Sequence, residues 1–160
     1  MRPTPGRVKE ALFSILAPRI SDAVFLDLFA GSGAIGFEAI SRGAASVTAV
    51  EAHRETANAI REAGQELRIA KKLTVWAAPV DRALYRLEGR FDLVFADPPY
   101  ASPVPMQMFA LLRERELLAP DSLVILEHSA RTILPAIPGY RSTREEVYGD
   151  VALAFFVPLE

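Results

Sequence analysis

Short apolar runs alternate with amphipathic stretches along most of the chain. The runs at 24–29, 47–51, 73–77, 91–96 and 122–127 are apolar at nearly every position, which is typical of strands buried on both faces of a parallel sheet. Helical periodicity is found between and before them, at 5–17, 32–42, 54–69, 81–87 and 106–118. This alternation predicts a doubly wound α/β domain whose sheet is mostly parallel.

The pattern changes after Pro138. Residues 140–148 and 151–157 are two extended runs that are separated only by Gly149 and Asp150. A Gly-Asp pair between two such runs is typical of a tight hairpin turn. The sheet is therefore predicted to end in an antiparallel hairpin.

Composition limits the classes of protein that need to be considered. A length of 160 residues favours one domain, 1–160. The chain has no cysteine and only two histidines, so thiol catalysis is excluded and no metal site is predicted. No apolar stretch approaches the ~20 residues that span a bilayer, and the N-terminus does not resemble a secretion signal. We therefore expect a cytoplasmic protein with no membrane contact.

The charge distribution is uneven. The net charge is −2, which argues against a protein that coats nucleic acid by charge alone. The first twenty residues are nevertheless basic, because Arg2, Arg7, Lys9 and Arg19 are accompanied there only by Glu10. A local basic surface is compatible with an acidic chain, since the field that a partner meets is that of the facing surface.

A glycine-rich turn follows the first predicted strand, at residues 31–36. Its glycines, Gly31, Gly33 and Gly36, let the backbone turn sharply and approach a ligand without an intervening Cβ. Glu51 ends the next strand, twenty residues after Gly31, where a carboxylate can accept hydrogen bonds from both hydroxyls of a ribose. Together these features favour a nucleotide-like ligand over a ligand-free turn.

Asp27 narrows the choice of ligand. A carboxylate four residues before Gly31 is electrostatically unfavourable beside a pyrophosphate, and the chain is too short for the two halves and substrate domain of a typical dehydrogenase. The ammonium and sulfonium of S-adenosylmethionine suit Asp27 better. A redox domain that binds a dinucleotide remains an alternative.

The sequence Asp97-Pro98-Pro99-Tyr100 follows the fourth predicted strand. Two prolines make a stiff turn that lacks N–H donors. The Asp97 carboxylate and the Pro98 carbonyl can each accept one hydrogen from an exocyclic amine, while Tyr100 stacks on the base. The four residues therefore predict a site that holds a planar amine.

These motifs carry a resemblance to a known family. Asp27 and Phe29-Ala30-Gly31-Ser32-Gly33, followed by Asp97-Pro98-Pro99-Tyr100, resemble class I S-adenosylmethionine-dependent methyltransferases. The opening Arg2-Pro3-Thr4 block with Arg7-Val8-Lys9-Glu10, and the later Val147-Tyr148-Gly149-Asp150, are similar to the bacterial 16S ribosomal RNA (guanine-N2)-methyltransferases. The similarity covers nearly the whole chain in order.

The resemblance implies a fold, a cofactor and a set of roles. The fold is a Rossmann-like sheet of seven strands, the cofactor is S-adenosylmethionine, and the partner is 16S ribosomal RNA, either naked or in an assembling 30S subunit. The protein is expected to be a monomer. The implied cofactor residues are Asp27, Phe29, Ala30, Gly31, Gly33, Glu51, Ala52 and Val80. The implied catalytic residues are Asp97, Pro98, Pro99 and Tyr100. Residues 1–20 would cover the site, with Arg2, Thr4, Arg7 and Lys9 touching the substrate.

The sequence departs from the family pattern in two places. The family's basic N-terminal hairpin is expected to be absent ahead of the Arg2-Pro3-Thr4 block. The position that often supplies an acid or asparagine to the adenine is Pro79, which leaves the Val80 N–H as the expected contact and Asp81 as a weaker alternative. The rival functions are an adenine-N6 or protein-glutamine methyltransferase and an RNA-binding module that binds the cofactor without turnover.

Overall fold

The computed structural model describes residues 4–99 and 104–160. Within these ranges the helices are α1 (Gly6–Ile20), α2 (Ala34–Ser41), α3 (Arg54–Glu66), α4 (Val80–Arg86) and α5 (Met106–Glu114), with a 3-10 turn at Ala70–Lys72. The strands are β1 (Val24–Leu28), β2 (Ser46–Glu51), β3 (Leu73–Ala77), β4 (Phe91–Ala96), β5 (Leu118–Ser129), β6 (Tyr140–Tyr148) and β7 (Val151–Pro158). None of these helices is long and apolar enough to span a bilayer.

The strands form one seven-stranded sheet in the order β3-β2-β1-β4-β5-β7-β6. The first five are parallel, whereas β7 runs antiparallel between β5 and β6. The chain builds outward from β1 to β3 and then crosses to the other side of β1 to form β4. This change of direction places a switch point between β1 and β4, and ligands bind at the carboxyl ends of strands beside such a point. The predicted α/β sheet with its antiparallel hairpin is confirmed.

Helices cover both faces of the sheet, and strand residues alternate between two apolar cores. One core, beside α1 and α2, contains Phe25 of β1 and Phe95 of β4. The other, beside α4 and α5, contains Leu26 and Val94 from the same strands. Because side chains alternate along a strand, the residue that follows Phe95 by two positions, Asp97, falls on the α1 and α2 side.

The predicted boundaries are wrong by three or more residues at three helices. The helix predicted at 54–69 ends at Glu66. The helix predicted at 5–17 continues through Pro18 to Ile20, which is buried in the core beside α1. The helix predicted at 106–118 ends at Glu114, and Leu118 already belongs to β5. Glu116 there adopts a left-handed backbone with φ of 54°, and no glycine or proline marks this stop in the sequence.

Candidate active site

The loop between β1 and α2 is shaped by left-handed backbone at Phe29, Gly31 and Gly33, with φ of 60°, 57° and 84°. Such a conformation costs roughly 1–3 kcal/mol at a non-glycine residue such as Phe29 and is found preferentially at functional sites. The Ala30 N–H fixes the loop by donating to the Val50 carbonyl of β2 at 2.9 Å. The predicted sharp turn is therefore present.

Glu51 holds this loop to the end of β2. One carboxylate oxygen accepts the Gly31 N–H and the other accepts the His53 N–H, both at 2.9 Å. The side chain is only 2% exposed. Each oxygen retains a further lone pair, so a ribose diol could be accepted without breaking either backbone bond.

Two cavities meet at Glu51 and His53. The first has a volume of about 500 Å³ and is lined by Thr4, Asp27, Ala30, Gly31, Ser32, Ala34, Ile35, Glu51, His53, Thr56, Phe95 and Asp97. The second has a volume of about 390 Å³ and is lined by Phe29, Glu51, Ala52, His53, Pro79, Val80, Asp81, Pro99, Pro105, Gln107 and Met108. The first cavity is bordered by carboxylates and the second is mostly apolar. Their junction at Glu51 suits a ligand with a charged end, a central sugar and a flat apolar end.

Asp27 lies in the wall of the first cavity and is 1% exposed. Burial is the main reason that its pKa is raised to about 8; a backbone hydrogen bond from Gly36 opposes the rise and the nearby Glu51 charge adds to it. Its Oδ2 atom is buried without a hydrogen-bond partner among the described residues. A cation in the cavity would stabilise the charged form.

Asp97 borders the same cavity at the end of β4, beside Thr4 and Glu127. The Thr4 hydroxyl lies 3.0 Å from Oε1 of Glu127, to which it donates, and 3.4 Å from Oδ2 of Asp97. The pKa of Asp97 is raised to about 8, first by burial and then by the Glu127 charge, while the Thr4 hydrogen bond lowers it. A neighbouring amine or cation would favour the ionised carboxylate.

Four carboxyl groups lie on one face of the sheet, one from each of four neighbouring strands. Glu51 comes from β2, Asp27 from β1, Asp97 follows β4 and Glu127 comes from β5. Their positions along the strands differ by even numbers from core residues on the α1 and α2 side, such as Phe25 and Phe95. The two-residue period of strands therefore directs all four to the side where α1 begins.

Most of the predicted site residues come together. Asp27, Ala30, Gly31 and Thr4 line the first cavity with Asp97, and Phe29, Ala52, Val80 and Pro99 line the second, with Glu51 common to both. Gly33 is buried at the start of α2. Pro98 is half-buried after β4, and no backbone N–H within residues 4–99 and 104–160 donates to its carbonyl. Tyr100 and Arg2 lie outside the described residues.

Two predicted substrate residues have other partners. The Lys9 ammonium lies 3.6 Å from Glu38, which also binds Arg42 at 2.9 Å. Arg7 is exposed and lies against the β6–β7 turn, since a Cβ added at Gly149 would come 2.5 Å from an Arg7 guanidinium nitrogen. The start of α1 is thus positioned between α2 and the hairpin.

The sequence reasoning missed several residues of the cleft. Glu127 ends the apolar run of β5 in the way that Glu51 ends β2, so the sequence pattern could have identified it as a candidate. His53 contributes a backbone N–H and lines both cavities. Gln107 and Met108 reach the second cavity from α5, and no local pattern predicts that, because it depends on how α5 packs.

Comparison with known proteins gives a family match. The model of a family described as conserved hypothetical protein 95 matches residues 1–157. The ribosomal RNA small subunit methyltransferase D of Escherichia coli strain K12 is 36% identical over 157 residues, covering 98% of this chain and 79% of that protein. The protein of the same name from Haemophilus influenzae is 33% identical over 162 residues, covering 98% and 82%.

The fold agrees with that of a solved relative. The structure of yhhF from Escherichia coli, a candidate methyltransferase, superposes with a TM-score of 0.88 at 36% identity. The match covers 98% of this chain and 86% of the other. The sheet order and the cleft at its switch point are therefore those of a class I methyltransferase fold.

Proposed function

Because the chain belongs to the conserved hypothetical protein 95 family, we propose that it methylates the exocyclic N2 amine of a guanine in 16S ribosomal RNA. It is a methyltransferase that acts on ribosomal RNA, like its relatives at 33% and 36% identity. The methyl donor is S-adenosylmethionine. The proposal adds three points to this. The methylated base is a guanine, the methyl group goes to its N2 atom, and the protein acts as a monomer on the assembling 30S subunit.

The observation that carries the proposal is the row of carboxyls beside the two joined cavities. Glu51 is held between two backbone donors, with lone pairs free to accept a ribose. Asp27, whose Oδ2 has no hydrogen-bond partner among the described residues, lines the cavity next to it. The apolar cavity at Phe29 and Val80 has the character that an adenine requires. These residues fit S-adenosylmethionine, which supplies an electrophilic methyl group on a positively charged sulfur.

Asp97 and the Pro98 carbonyl are proposed to hold the target amine. An exocyclic amine has two hydrogens, and the two oxygens provide one acceptor for each. With both hydrogens engaged, the nitrogen is turned so that its lone pair faces the cavity that Asp97 shares with Gly31. The negative charge of Asp97 also stabilises the positive charge that develops on the nitrogen.

Alignment is the main contribution of these residues to the rate. The N2 lone pair of guanine is delocalised into the ring and is a weak nucleophile, so the amine must be held in line with the methyl group. Such positioning can lower a barrier by ~7–11 kcal/mol. The N–H bond becomes acidic only after the methyl group has been transferred, so no strong base is needed before that step.

The start of the chain is proposed to contact the RNA. Thr4 lies at the cleft, Arg7 is exposed beside the hairpin turn, and Lys9 would reach a phosphate by exchanging its partner Glu38. Arg2 and Tyr100 are proposed by position in the sequence, as a phosphate contact and as a stacking partner of the base. To enter the cleft, the guanine must leave its stack and turn outward.

A methyl-transfer experiment tests the proposal. Purified protein is incubated with tritiated S-adenosylmethionine and with naked 16S RNA, 30S particles, duplex DNA or a glutamine-containing peptide, and the labelled product is hydrolysed and identified. We expect N2-methylguanosine from RNA or 30S particles. Labelled N6-methyladenine or methylglutamine would contradict the guanine assignment, and the absence of any labelled product despite cofactor binding would contradict turnover.

An Asp97 variant tests the catalytic role in the same assay. Asp97→Asn retains the size of the side chain but offers an amide in place of a carboxylate, so we expect turnover to fall by about 100-fold or more. Affinity for S-adenosylhomocysteine should change much less. Glu145→Gln, an exposed site on β6, is the matched control and should turn over normally. An Asp97→Asn variant with near-normal turnover would remove Asp97 from this role.

A further inference from the structure

A second carboxyl, that of Glu127, lies next to Asp97 on the neighbouring strand. β4 and β5 are parallel neighbours with Ala96 opposite Leu126, so the next residues, Asp97 and Glu127, lie side by side. Glu127 is 6% exposed, and it raises the pKa of Asp97. The Thr4 hydroxyl lies 3.0 Å from Glu127 and 3.4 Å from Asp97.

We propose that Glu127 is a positioning residue, which shares one proton with Asp97 and, with the help of Thr4, orients the Asp97 carboxyl. This inference rests on the proposed function, since it concerns the group that holds the substrate amine. Glu127 is not among the described residues that line the cavity of Asp97 and Gly31. Its effect on the reaction therefore passes through Asp97.

The closeness of the two carboxyls favours a shared proton. Two carboxylates that lie side by side around one hydroxyl repel each other, and the repulsion is relieved when one of them is protonated. The groups that act on Asp97 are Glu127 from β5, the Thr4 hydroxyl before α1 and Asp27 from β1, behind which lies Glu51 of β2. Glu127 and Asp27 raise the pKa of Asp97, and the Thr4 hydroxyl lowers it.

The location of the shared proton decides whether Asp97 can hold the amine. A protonated Asp97 would present a donor to an amine hydrogen, whereas an ionised Asp97 accepts it. While Glu127 is charged, it favours the shared proton on Asp97, and Asp97 accepts the amine only above its raised pKa. The charge of Glu127 therefore sets the pH at which Asp97 begins to hold the substrate.

The same pair can receive the proton of the product. As the carbon–nitrogen bond forms, the methyl–sulfur bond of the donor would break and leave its electron pair on a neutral sulfur. The N2 atom then carries an extra proton; one N–H bond breaks, its electron pair remains on nitrogen, and the proton passes to the Asp97 carboxylate. Release to water from the Asp97–Glu127 pair then restores the starting state. Atoms and charge balance without a further reactant.

The test is the pH dependence of kcat/KM for RNA, which reports the ionisation of groups in the free enzyme. Glu127→Gln retains a hydrogen-bonding group but removes the charge that raises the pKa of Asp97. We expect the acid limb of the profile to move to lower pH by about one unit or more. Glu145→Gln, the exposed control on β6, should leave the limb where it is in the unmodified protein.

Thr4 provides a variant with the opposite sign. Thr4→Val removes the hydroxyl that lowers the pKa of Asp97 at nearly constant volume, so the acid limb should move to higher pH. Thr4→Ser, which restores the hydroxyl, should return the limb towards its original position. A purely structural role would lower the rate at all pH values and leave the limb in place.

The outcomes separate this inference from the proposed function. If the unmodified protein methylates RNA and both variants retain its acid limb, the role of Glu127 is overturned while the function stands. If the unmodified protein transfers no methyl group to RNA, the proposed function fails first. The affinity of Glu127→Gln for S-adenosylhomocysteine, measured by calorimetry, should equal that of the unmodified protein. Equal affinity would show that the variant is folded.

Discussion

Asp27 is a buried carboxyl at the cleft with no cationic partner among the described residues. The side chain is 1% exposed and one of its oxygens lacks a partner among the described residues. Leaving a buried polar atom unsatisfied is unfavourable, so the residue is expected to stabilise something other than the fold. We propose that a cationic ligand in the adjoining cavity would supply the missing interaction.

The raised pKa of Asp27 predicts a pH-dependent stability. The pKa is about 8 in the folded protein and 3.8 in the reference state, so the folded state binds more protons between these values. Its stabilising contribution is therefore complete below about pH 4 and is lost as the pH rises through about 8. Each unit of pKa shift corresponds to ~1.4 kcal/mol.

Asp27→Asn should remove this part of the pH dependence. Thermal unfolding of the ligand-free protein, followed by circular dichroism, should show a Tm that falls from mildly acidic to mildly alkaline pH and falls less in the variant. Asp97 contributes in the same direction, so some dependence will remain. An identical pH profile for both proteins would contradict the buried, unpartnered carboxyl.

Glu51 predicts a loss of cofactor affinity. Both of its oxygens accept backbone N–H groups, from Gly31 and His53, so an amide nitrogen in Glu51→Gln would face one of these donors. We expect affinity for S-adenosylhomocysteine, measured by calorimetry, to fall by about tenfold or more, or ~1.4 kcal/mol. Glu55→Gln makes the same change at an exposed position of α3 and should bind normally. If Glu51→Gln binds as tightly as Glu55→Gln, Glu51 does not hold the cofactor.

At the scale of elements, the strands were more predictable than the helix ends. The bounds of β3, β4 and β6 agree with the predicted runs. The largely buried β4 is marked by its apolar run, whereas the largely exposed β6 is marked by the Gly149-Asp150 turn that ends it. The end of α5 depends on the left-handed backbone of Glu116, and a glutamate does not predict that conformation. Glu127 was missed for a related reason, since its importance arises only when β5 is placed beside β4.

Gly36 tests the packing of α2 on the sheet. A Cβ at this position would lie 3.0 Å from Cγ1 of Val47 and 3.5 Å from Oδ2 of Asp27. Gly36→Ala should therefore push α2 away from β2 and destabilise the protein by roughly 1–3 kcal/mol. The free energy of unfolding in urea measures this change.

Two further variants make that measurement specific. The cost of Gly36→Ala should be smaller in a Val47→Ala background, where the clash is relieved. Gly6→Ala is the control, because a Cβ there meets nothing within 4 Å and alanine is favoured over glycine in a helix. If Gly36→Ala is as stable as Gly6→Ala, the close packing of α2 is not required.

At the scale of the whole molecule, the difficulty is that an acidic protein must engage a polyanion. The net charge is −2, and a row of carboxyls lines the cleft. Long-range attraction to RNA is therefore weak, and affinity has to come from a few basic side chains near the entrance to the site. Arg7 is the described residue best placed for this, since it is exposed where α1 meets the β6–β7 turn.

Arg7→Ala should weaken RNA binding through the loss of one phosphate contact. Each contact contributes about 0.7 to 0.9 to the slope of the logarithm of the binding constant against that of the salt concentration, so the slope should decrease by about one. Affinity for S-adenosylhomocysteine should not change. Arg144→Ala is the matched control, because Arg144 is exposed and already paired with Glu146 on β6, and its slope should equal that of the unmodified protein. An unchanged slope for Arg7→Ala would mean that the RNA approaches the cleft from another side, and that α1 serves only to carry Thr4 to the carboxyl pair.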